Sequence, residues 1–187
     1  MKQVLIGAIV GGIVLFAWQY AAWMFLDLHK LDQEPLLANQ TAVAAALKGT
    51  KRGVYWIPGI TQDEHKDQES DAYKAWDKAH EAGPIVFINY DPEGKPAMSG
   101  ATMGMGAAVA ILMALIMSWM LRAASIGNFF GRFLFVVGFG VFLALAMDIQ
   151  GWIWMNNPMD WTRGNVIDHV GGAAVLGVVL GAIVKGD

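Results

Sequence analysis

Residues 133–155 read FLFVVGFGVFLALAMDIQGWIWM, an apolar run that contains a single carboxylate, Asp148. A helix of about 20 apolar residues crosses roughly 30 Å of hydrocarbon, so this stretch predicts a transmembrane helix. A carboxylate at membrane depth is costly unless it is paired, hydrated or protonated. Asp148 is therefore the first candidate functional residue of the chain.

Three further apolar runs, at residues 4–26, 97–121 and 166–184, are also long enough to span a membrane. The chain has 187 residues, of which 56% are hydrophobic, and we therefore predict a membrane all-α fold with four transmembrane helices. It contains no cysteine, and its net charge of −3 gives no reason to expect nucleic acid as a partner. The predicted partners are the lipid bilayer and other membrane protein subunits or further copies of the chain.

Cations near the predicted spans indicate the orientation of the chain. Lys2, Arg122, Arg132 and Lys185 fall on one side of the bilayer if four spans are correct, and that side is expected to be cytoplasmic. Both termini are then inside, and residues 27–96 are outside. The first run is longer than the core of a signal peptide, so we interpret it as a retained span and leave its cleavage open.

The sequence divides into a first helix (residues 1–26), an extracytoplasmic segment (27–96) and a three-helix membrane region (97–187, with spans at 97–121, 133–155 and 166–184). Within the extracytoplasmic segment, residues 53–57 and 85–90 are typical of strands, and residues 95–98 are expected to fold back beside the second one. Residues 39–48 and 64–81 predict helices. The segment is thus a small α+β insertion between the first and second spans.

An acidic cluster lies near the start of the longer helix predicted for this segment. Carboxylate oxygens suit hard divalent cations, but the cluster lacks the spacing of a calcium-binding loop. Acidic residues at a helix start also favour the helix dipole. We therefore interpret the cluster as a solvated surface and predict no metal site. Its members are Asp63, Glu64, His65, Asp67, Glu69 and Asp71.

Small residues recur at four-residue spacing in all four spans. Such rows allow helix backbones to approach closely, and they predict tight packing within the chain or against other subunits. The rows include Gly7 and Gly11; Gly100 and Gly104; Gly140 and Ala144; and Ala173, Gly177 and Gly181.

Two of these rows continue at the same spacing to polar residues, Asp148 in the third span and His169 in the fourth. Together with Asp168, they define a candidate polar pocket near the outer face of the membrane. Periodicity does not fix the rotation of a helix, so contact between Asp148 and His169 is left open. Further polar residues nearby in the chain are Gln150, Asn156, Asn157 and Asn165.

Several roles are compatible with this pocket. We favour a structural ion pair, or a water-bridged Asp148, that fastens the third span to the fourth. Histidine titrates near neutral pH, so proton exchange is an alternative. His169 could also ligate a tetrapyrrole, or the pocket could hold a quinone, although the predicted spans contain no second histidine. The methionines of the second span suit Cu(I), but flexible apolar packing is the preferred interpretation, and we predict no cofactor.

Signatures of common enzymes are missing from the sequence. It contains no G-x-S-x-G, H-E-x-x-H, P-loop or dinucleotide-binding motif. No catalytic residue is predicted, and the chain is not expected to be an enzyme.

Several short motifs point to one type of protein. They are residues 6–12 (IGAIVGG), Trp18-Gln19, Trp23, His29 and residues 53–59 (GVYWIPG). In these the chain resembles a group of small bacterial inner-membrane proteins of no assigned function, in which an N-terminal span, an outer segment and three further spans recur. The resemblance implies the same four-span topology and a location in the bacterial inner membrane, and it contributes no catalytic or ligand-binding residue.

The leading prediction for function is a non-enzymatic accessory or interaction subunit that packs against a larger membrane assembly. The alternative is a small-molecule, cofactor or proton-coupled membrane protein that uses the outer-leaflet polar pocket of Asp148, Asp168 and His169.

Overall fold

A computed structural model of the chain describes residues 1–29 and 39–185. The chain forms two compact units, which are described separately: a membrane unit (residues 1–31 and 97–187) and an insertion (residues 32–96). The elements in chain order are α1 (Lys2–Met24), α2 (Gln40–Ala46), β1 (Gly53–Ile57), α3 (Gln62–Lys66), α4 (Asp71–Ala82), β2 (Val86–Tyr90), α5 (Gly100–Ala123), α6 (Phe129–Leu143), a π-helical segment (Ala144–Ile149), α7 (Gln150–Met155) and α8 (Met159–Ile183).

Four helices of the membrane unit are long and apolar enough to cross a membrane: Lys2–Met24, Gly100–Ala123, Phe129–Met155 and Met159–Ile183. They confirm the predicted membrane all-α class. The helix that contains the fourth predicted span, α8, begins at Met159, before the apolar run of residues 166–184. The polar residues of its first turns, such as Asp160 and Arg163, look like a link in the sequence but lie on the helix.

Glycines bring the membrane helices close together within the chain. A Cβ at Gly7 would lie 2.7 Å from the Ser118 hydroxyl oxygen of α5, and one at Gly12 would lie 2.5 Å from the Ile111 backbone. On α8, a Cβ at Gly177 would lie 3.2 Å from Phe133 of α6. Gly7 and Gly177 therefore pack helix against helix inside one chain, as their rows predicted, whereas the predicted contact at Gly100 and Gly104 is not made, because a Cβ at either position would meet no other helix within 4 Å.

The two ends of the four-helix bundle differ in chemistry. At one end, the Lys185 backbone N–H donates to Gln3 (3.2 Å) and Arg122 donates to the Lys185 carbonyl oxygen (3.3 Å). Arg132, whose exposure is 6%, donates from Nε to the Gly181 carbonyl oxygen at 2.9 Å. We call this the basic end. The opposite end carries Trp18, Trp23, Trp161 and His169, and we call it the tryptophan end.

The π-helical segment sets the position of Asp148. Along the third membrane helix, Arg132, Val136, Gly140, Ala144 and Asp148 are all buried, at steps of four residues. In an α-helix of 3.6 residues per turn, each such step drifts by about 40° around the axis. A π turn holds more residues, so it offsets the drift and keeps Asp148 on the buried face.

The insertion contains a two-stranded antiparallel sheet in which Trp56 of β1 is paired with Phe87 of β2. The single helix predicted at residues 64–81 was wrong, since α3 ends at Lys66 and α4 begins at Asp71. The Ser70 hydroxyl, which accepts from the Tyr73 N–H at 3.1 Å, starts this second helix. Residues 95–98, predicted to fold back beside the second strand, form no strand there.

A capping box starts α3. Thr61 bonds Glu64 through its hydroxyl and its backbone N–H, and Glu64 returns a backbone N–H to the Thr61 hydroxyl at 3.3 Å. These bonds to Thr61 lower the pKa of Glu64 below its usual value of 4.5. Because the folded-state pKa is depressed, the stabilisation is present above the unfolded pKa and is lost as the pH falls through the folded one.

Replacing Gly140 by alanine is expected to lower the free energy of unfolding by about 1–3 kcal/mol. The added Cβ would collide with the Ala173 methyl group and lie 3.0 Å from the His169 carbonyl oxygen. Gly138→Ala is the matched control, because a Cβ at Gly138 would meet no atom beyond its own stretch of helix backbone within 4 Å. Reversible unfolding in mixed detergent micelles measures both variants, and equal losses would contradict the proposed close contact.

Candidate functional site

A cavity of about 300 Å³ lies inside the membrane unit, between all four membrane helices. Its apolar wall is formed by Leu15, Met113, Met117, Val136, Phe139, Leu143 and Leu176. Its polar rim is formed by Trp18, Gln19, Trp23, His29, Asn165, Asp168 and His169. A concave, mostly apolar site with a few convergent polar groups is the usual form of a small-molecule site.

The first polar pair on this rim joins the third membrane helix to the fourth. His169 Nδ1 lies 2.7 Å from Asp148 Oδ2. Asp148 is 7% exposed and stands behind the imidazole, whereas His169 itself lines the cavity. The contact between Asp148 and His169, which the sequence left open, is therefore made.

The second polar pair involves His29 and Asp168. His29 Nε2 lies 3.1 Å from Asn165 Oδ1 and 3.5 Å from Asp168 Oδ2. The Trp18 indole N–H donates to Asp168 Oδ1 at 2.8 Å and to the Asp168 carbonyl oxygen at 3.1 Å. Asp168 and His169 are consecutive in α8, so the two histidine–aspartate pairs share one stretch of helix.

Glycines of α8 make room for the partners of Asp168. A Cβ at Gly164 would collide with the backbone carbonyl oxygen of Leu28, the residue before His29. A Cβ at Gly171 would lie 2.5 Å from the Trp18 ring, and one at Gly172 would lie 3.0 Å from it. The absence of side chains at these positions therefore allows both Trp18 and the His29 turn to reach α8.

Aromatic rings hold the His29 imidazole in place. It stacks on Trp23 with ring centroids 4.1 Å apart and meets the edge of Trp161 at 5.6 Å. Its side chain is only 3% exposed, and within residues 1–29 and 39–185 no group bonds its buried Nδ1. The imidazole is thus fixed through Nε2 and by the two indole rings, and its Nδ1 is buried without a hydrogen-bond partner in the described residues.

The structure brings together the three residues predicted for the pocket, Asp148, Asp168 and His169. Of the polar residues named with them, Asn165 lines the cavity, whereas Gln150, Asn156 and Asn157 do not. Sequence reasoning missed His29, which it assigned to the segment between the first two spans, and it missed the roles of Trp18 and Gln19. The glycines of α8 are the sequence signal that could have identified His29 and Trp18, because they mark the close approach of another part of the chain.

The acidic cluster of the insertion serves helix ends and local ion pairs. Glu64 belongs to the capping box, and Asp63 pairs with Lys66 at 3.2 Å. Across the part of the chain that the structure describes, no group of three or more His, Cys, Asp or Glu side chains is placed to hold a metal ion. Met113 and Met117 of α5 lie in the apolar wall of the cavity.

No protein family, curated protein or solved structure matches the chain. The resemblance to small four-span bacterial membrane proteins therefore stays a prediction.

Removing the carboxylate of Asp148 is expected to lower the free energy of unfolding by about 1–3 kcal/mol, since Asp148→Ala leaves His169 Nδ1 without its partner. Asp160→Ala is the control, because Asp160 is 87% exposed in its ion pair with Arg163. Asp160→Ala is expected to lower the free energy of unfolding by less than about 1 kcal/mol. Unfolding in micelles measures the free energy of unfolding of both variants. Equal losses would mean that the buried Asp148–His169 pair adds nothing to stability.

Proposed function

We propose that this protein is a non-enzymatic membrane protein that binds a small, largely apolar molecule in the cavity of its membrane unit. The observation that supports the proposal is the cavity itself, whose apolar wall ends in a rim with two histidine–aspartate pairs. Its volume of about 300 Å³ falls at the lower end of the range of ligand pockets.

Two physical arguments favour binding over a packing defect. Protein interiors contain few voids larger than a water molecule, and the same helices pack tightly at their glycines. Ionisable side chains at membrane depth are costly and are usually retained for a function. A purely structural pair would explain Asp148 and His169, but it would leave unexplained the cavity that His169 lines.

We also propose the orientation of the chain. Lys2, Arg122, Arg132 and Lys185 belong to the basic end, which we assign to the cytoplasmic side of a bacterial inner membrane. Both termini then lie inside, and residues 27–96 lie outside. Under this assignment the cavity opens in the outer half of the bilayer, and its ligand enters from the outer leaflet or the extracytoplasmic space.

An accessory subunit of a larger membrane assembly is the second candidate function. One observation favours it: Val54, Trp56 and Phe87 project from one exposed face of the insertion's sheet, and the Trp56 and Phe87 rings meet edge to face at 4.8 Å. Exposed aromatic patches are typical of protein contacts. Gly177 and Gly181 give it no support, because they pack on Phe133 and Phe129 of the same chain.

Filling the cavity is expected to abolish binding. Leu143→Trp adds ring volume to the cavity wall, whereas Leu145→Trp changes an exposed residue of the same helix that does not line the cavity. Each protein is purified gently from its own membrane, and mass spectrometry records the co-purifying small molecules. Wild type and Leu145→Trp should retain one stoichiometric compound that Leu143→Trp lacks.

The same purification separates the two candidates. A compound retained equally by both tryptophan variants would contradict binding in the cavity. A stoichiometric second protein that both variants retain, and that Phe87→Ser loses, would favour the accessory role.

A further inference from the structure

The four membrane helices do not enclose the cavity equally tightly. α5 packs on α1, α1 packs on α8 and α8 packs on α6, but α5 and α6 make little contact with each other, although the short link of residues 124–128 joins them. The close approaches at glycines follow the same arrangement, since they join α1 to α5, α1 to α8 and α6 to α8. The cavity is therefore weakly closed on one side, at the gap between α5 and α6.

Two side chains border the cavity at this gap. Met113 of α5 lines the cavity and keeps 39% of its surface exposed. Phe139 of α6 lines the cavity and also an apolar groove on its own helix, which we call the outer groove. Because Phe139 belongs to both spaces, it marks the place where the cavity borders on the outer groove. The other residues of the outer groove are Leu134, Phe135, Gly138 and Phe142.

The opposite side of the cavity, between α1 and α8, is fastened by polar and backbone contacts. The Leu28 carbonyl oxygen lies against Gly164, His29 lies beside Asp168, and the Trp18 indole N–H donates to Asp168. By contrast, the cavity-lining residues of α5 and α6 are all apolar, and flexible methionines are among them. The α5–α6 gap is thus the side of the cavity that can open with the smallest loss of contacts.

The depth of the cavity determines what surrounds this gap. Leu15 lies near the middle of α1, Leu143 lies near the middle of the third membrane helix, Phe129–Met155, and both line the cavity. The apolar part of the cavity therefore lies at the depth of the hydrocarbon core. Water is excluded from that core, so the molecules that can reach the α5–α6 gap from outside are lipid chains and compounds dissolved among them.

We propose that the cavity is entered sideways from the bilayer, through the gap between α5 and α6, and that its occupant is a hydrocarbon chain of a membrane lipid. This inference rests on the proposed function, because it presupposes that the cavity binds a largely apolar molecule. It adds the route and the chemical class of the ligand. The chain lies along the apolar wall, and the polar end of the lipid stays near the rim.

Photolabelling in lipid nanodiscs tests the occupant. The probe is a phosphatidylcholine with a diazirine at the end of one acyl chain, and tandem mass spectrometry locates its covalent adducts on the full chain. Leu15 and Leu176 are expected to be labelled, because both line the cavity although each is only 5% exposed. Leu180 is the matched control, because it is 0% exposed and does not line the cavity, and it should stay unlabelled.

Tryptophan variants test the route. Met113→Trp narrows the α5–α6 gap and is expected to abolish labelling of Leu15. Leu112→Trp is its control, because Leu112 is exposed and does not line the cavity, and labelling should survive. Labelling should also survive in Gln19→Trp, which narrows the polar rim instead. The exposed Leu134 is labelled in every variant and gives the reference yield. Each variant is compared only if its elution volume and thermal midpoint match those of the wild type.

The outcomes separate this inference from the proposed function. If wild type is labelled at Leu134 but not at Leu15 or Leu176, the lipid-chain occupant is wrong. A binding cavity still stands in that case if Leu143→Trp loses a co-purifying compound, and the proposed function is wrong as well if it loses none.

Two further results bear on the route and on folding. If Gln19→Trp abolishes the labelling of Leu15 and Met113→Trp does not, the ligand enters at the tryptophan end and the sideways route is wrong. Where Met113→Trp does not fold, the wild-type protein still decides on the occupant, because Leu15 and Leu176 are then compared with Leu180 in one sample.

Discussion

The close approach of other parts of the chain to the backbone of α8 is the constraint on which the membrane unit depends. Glycines on different faces of this helix meet the Leu28 carbonyl oxygen, the Trp18 ring and the aromatic rings of α6. In a bilayer there is no hydrophobic force between helices, so close van der Waals contact and buried hydrogen bonds must hold them together. The glycines of α8 allow both, because the backbone approach that improves packing also brings donors within reach of Asp168.

The polar groups follow from this approach. Asp168 accepts from Trp18 and lies beside His29, and Asp148 pairs with His169, so neither carboxylate is left alone at membrane depth. Each pair also occupies one ring nitrogen of its histidine and leaves the other ring nitrogen outside the pair. The same bonds that make the carboxylates tolerable thus define the chemistry of the rim.

The sequence predicted the four spans well, because membrane helices need long apolar runs and the chain has them. Asp160 and Arg163 resemble a link in the sequence but lie on the first turns of α8, and the sequence joined two helices of the insertion that Ser70 separates. The meeting of Asp148 and His169 could not be predicted, since it depends on the π-helical segment that turns Asp148 toward α8. His29 could not be assigned to the site either, because its position depends on a tertiary contact between Gly164 and Leu28.

Selectivity in such a cavity has to come from its rim. A ligand that leaves the lipid for an apolar wall exchanges one hydrocarbon environment for another, so burial of its apolar body contributes much less than transfer from water would. A hydrogen bond to a polar group of the rim is a stronger discriminator, because no lipid chain can replace it. Under the proposed function, the apolar wall limits the size of the ligand and the polar rim selects its head group. Trp23 and Trp161 pack against the His29 ring and hold this part of the rim, and a polar group discriminates between ligands only when it cannot turn away from the wrong one.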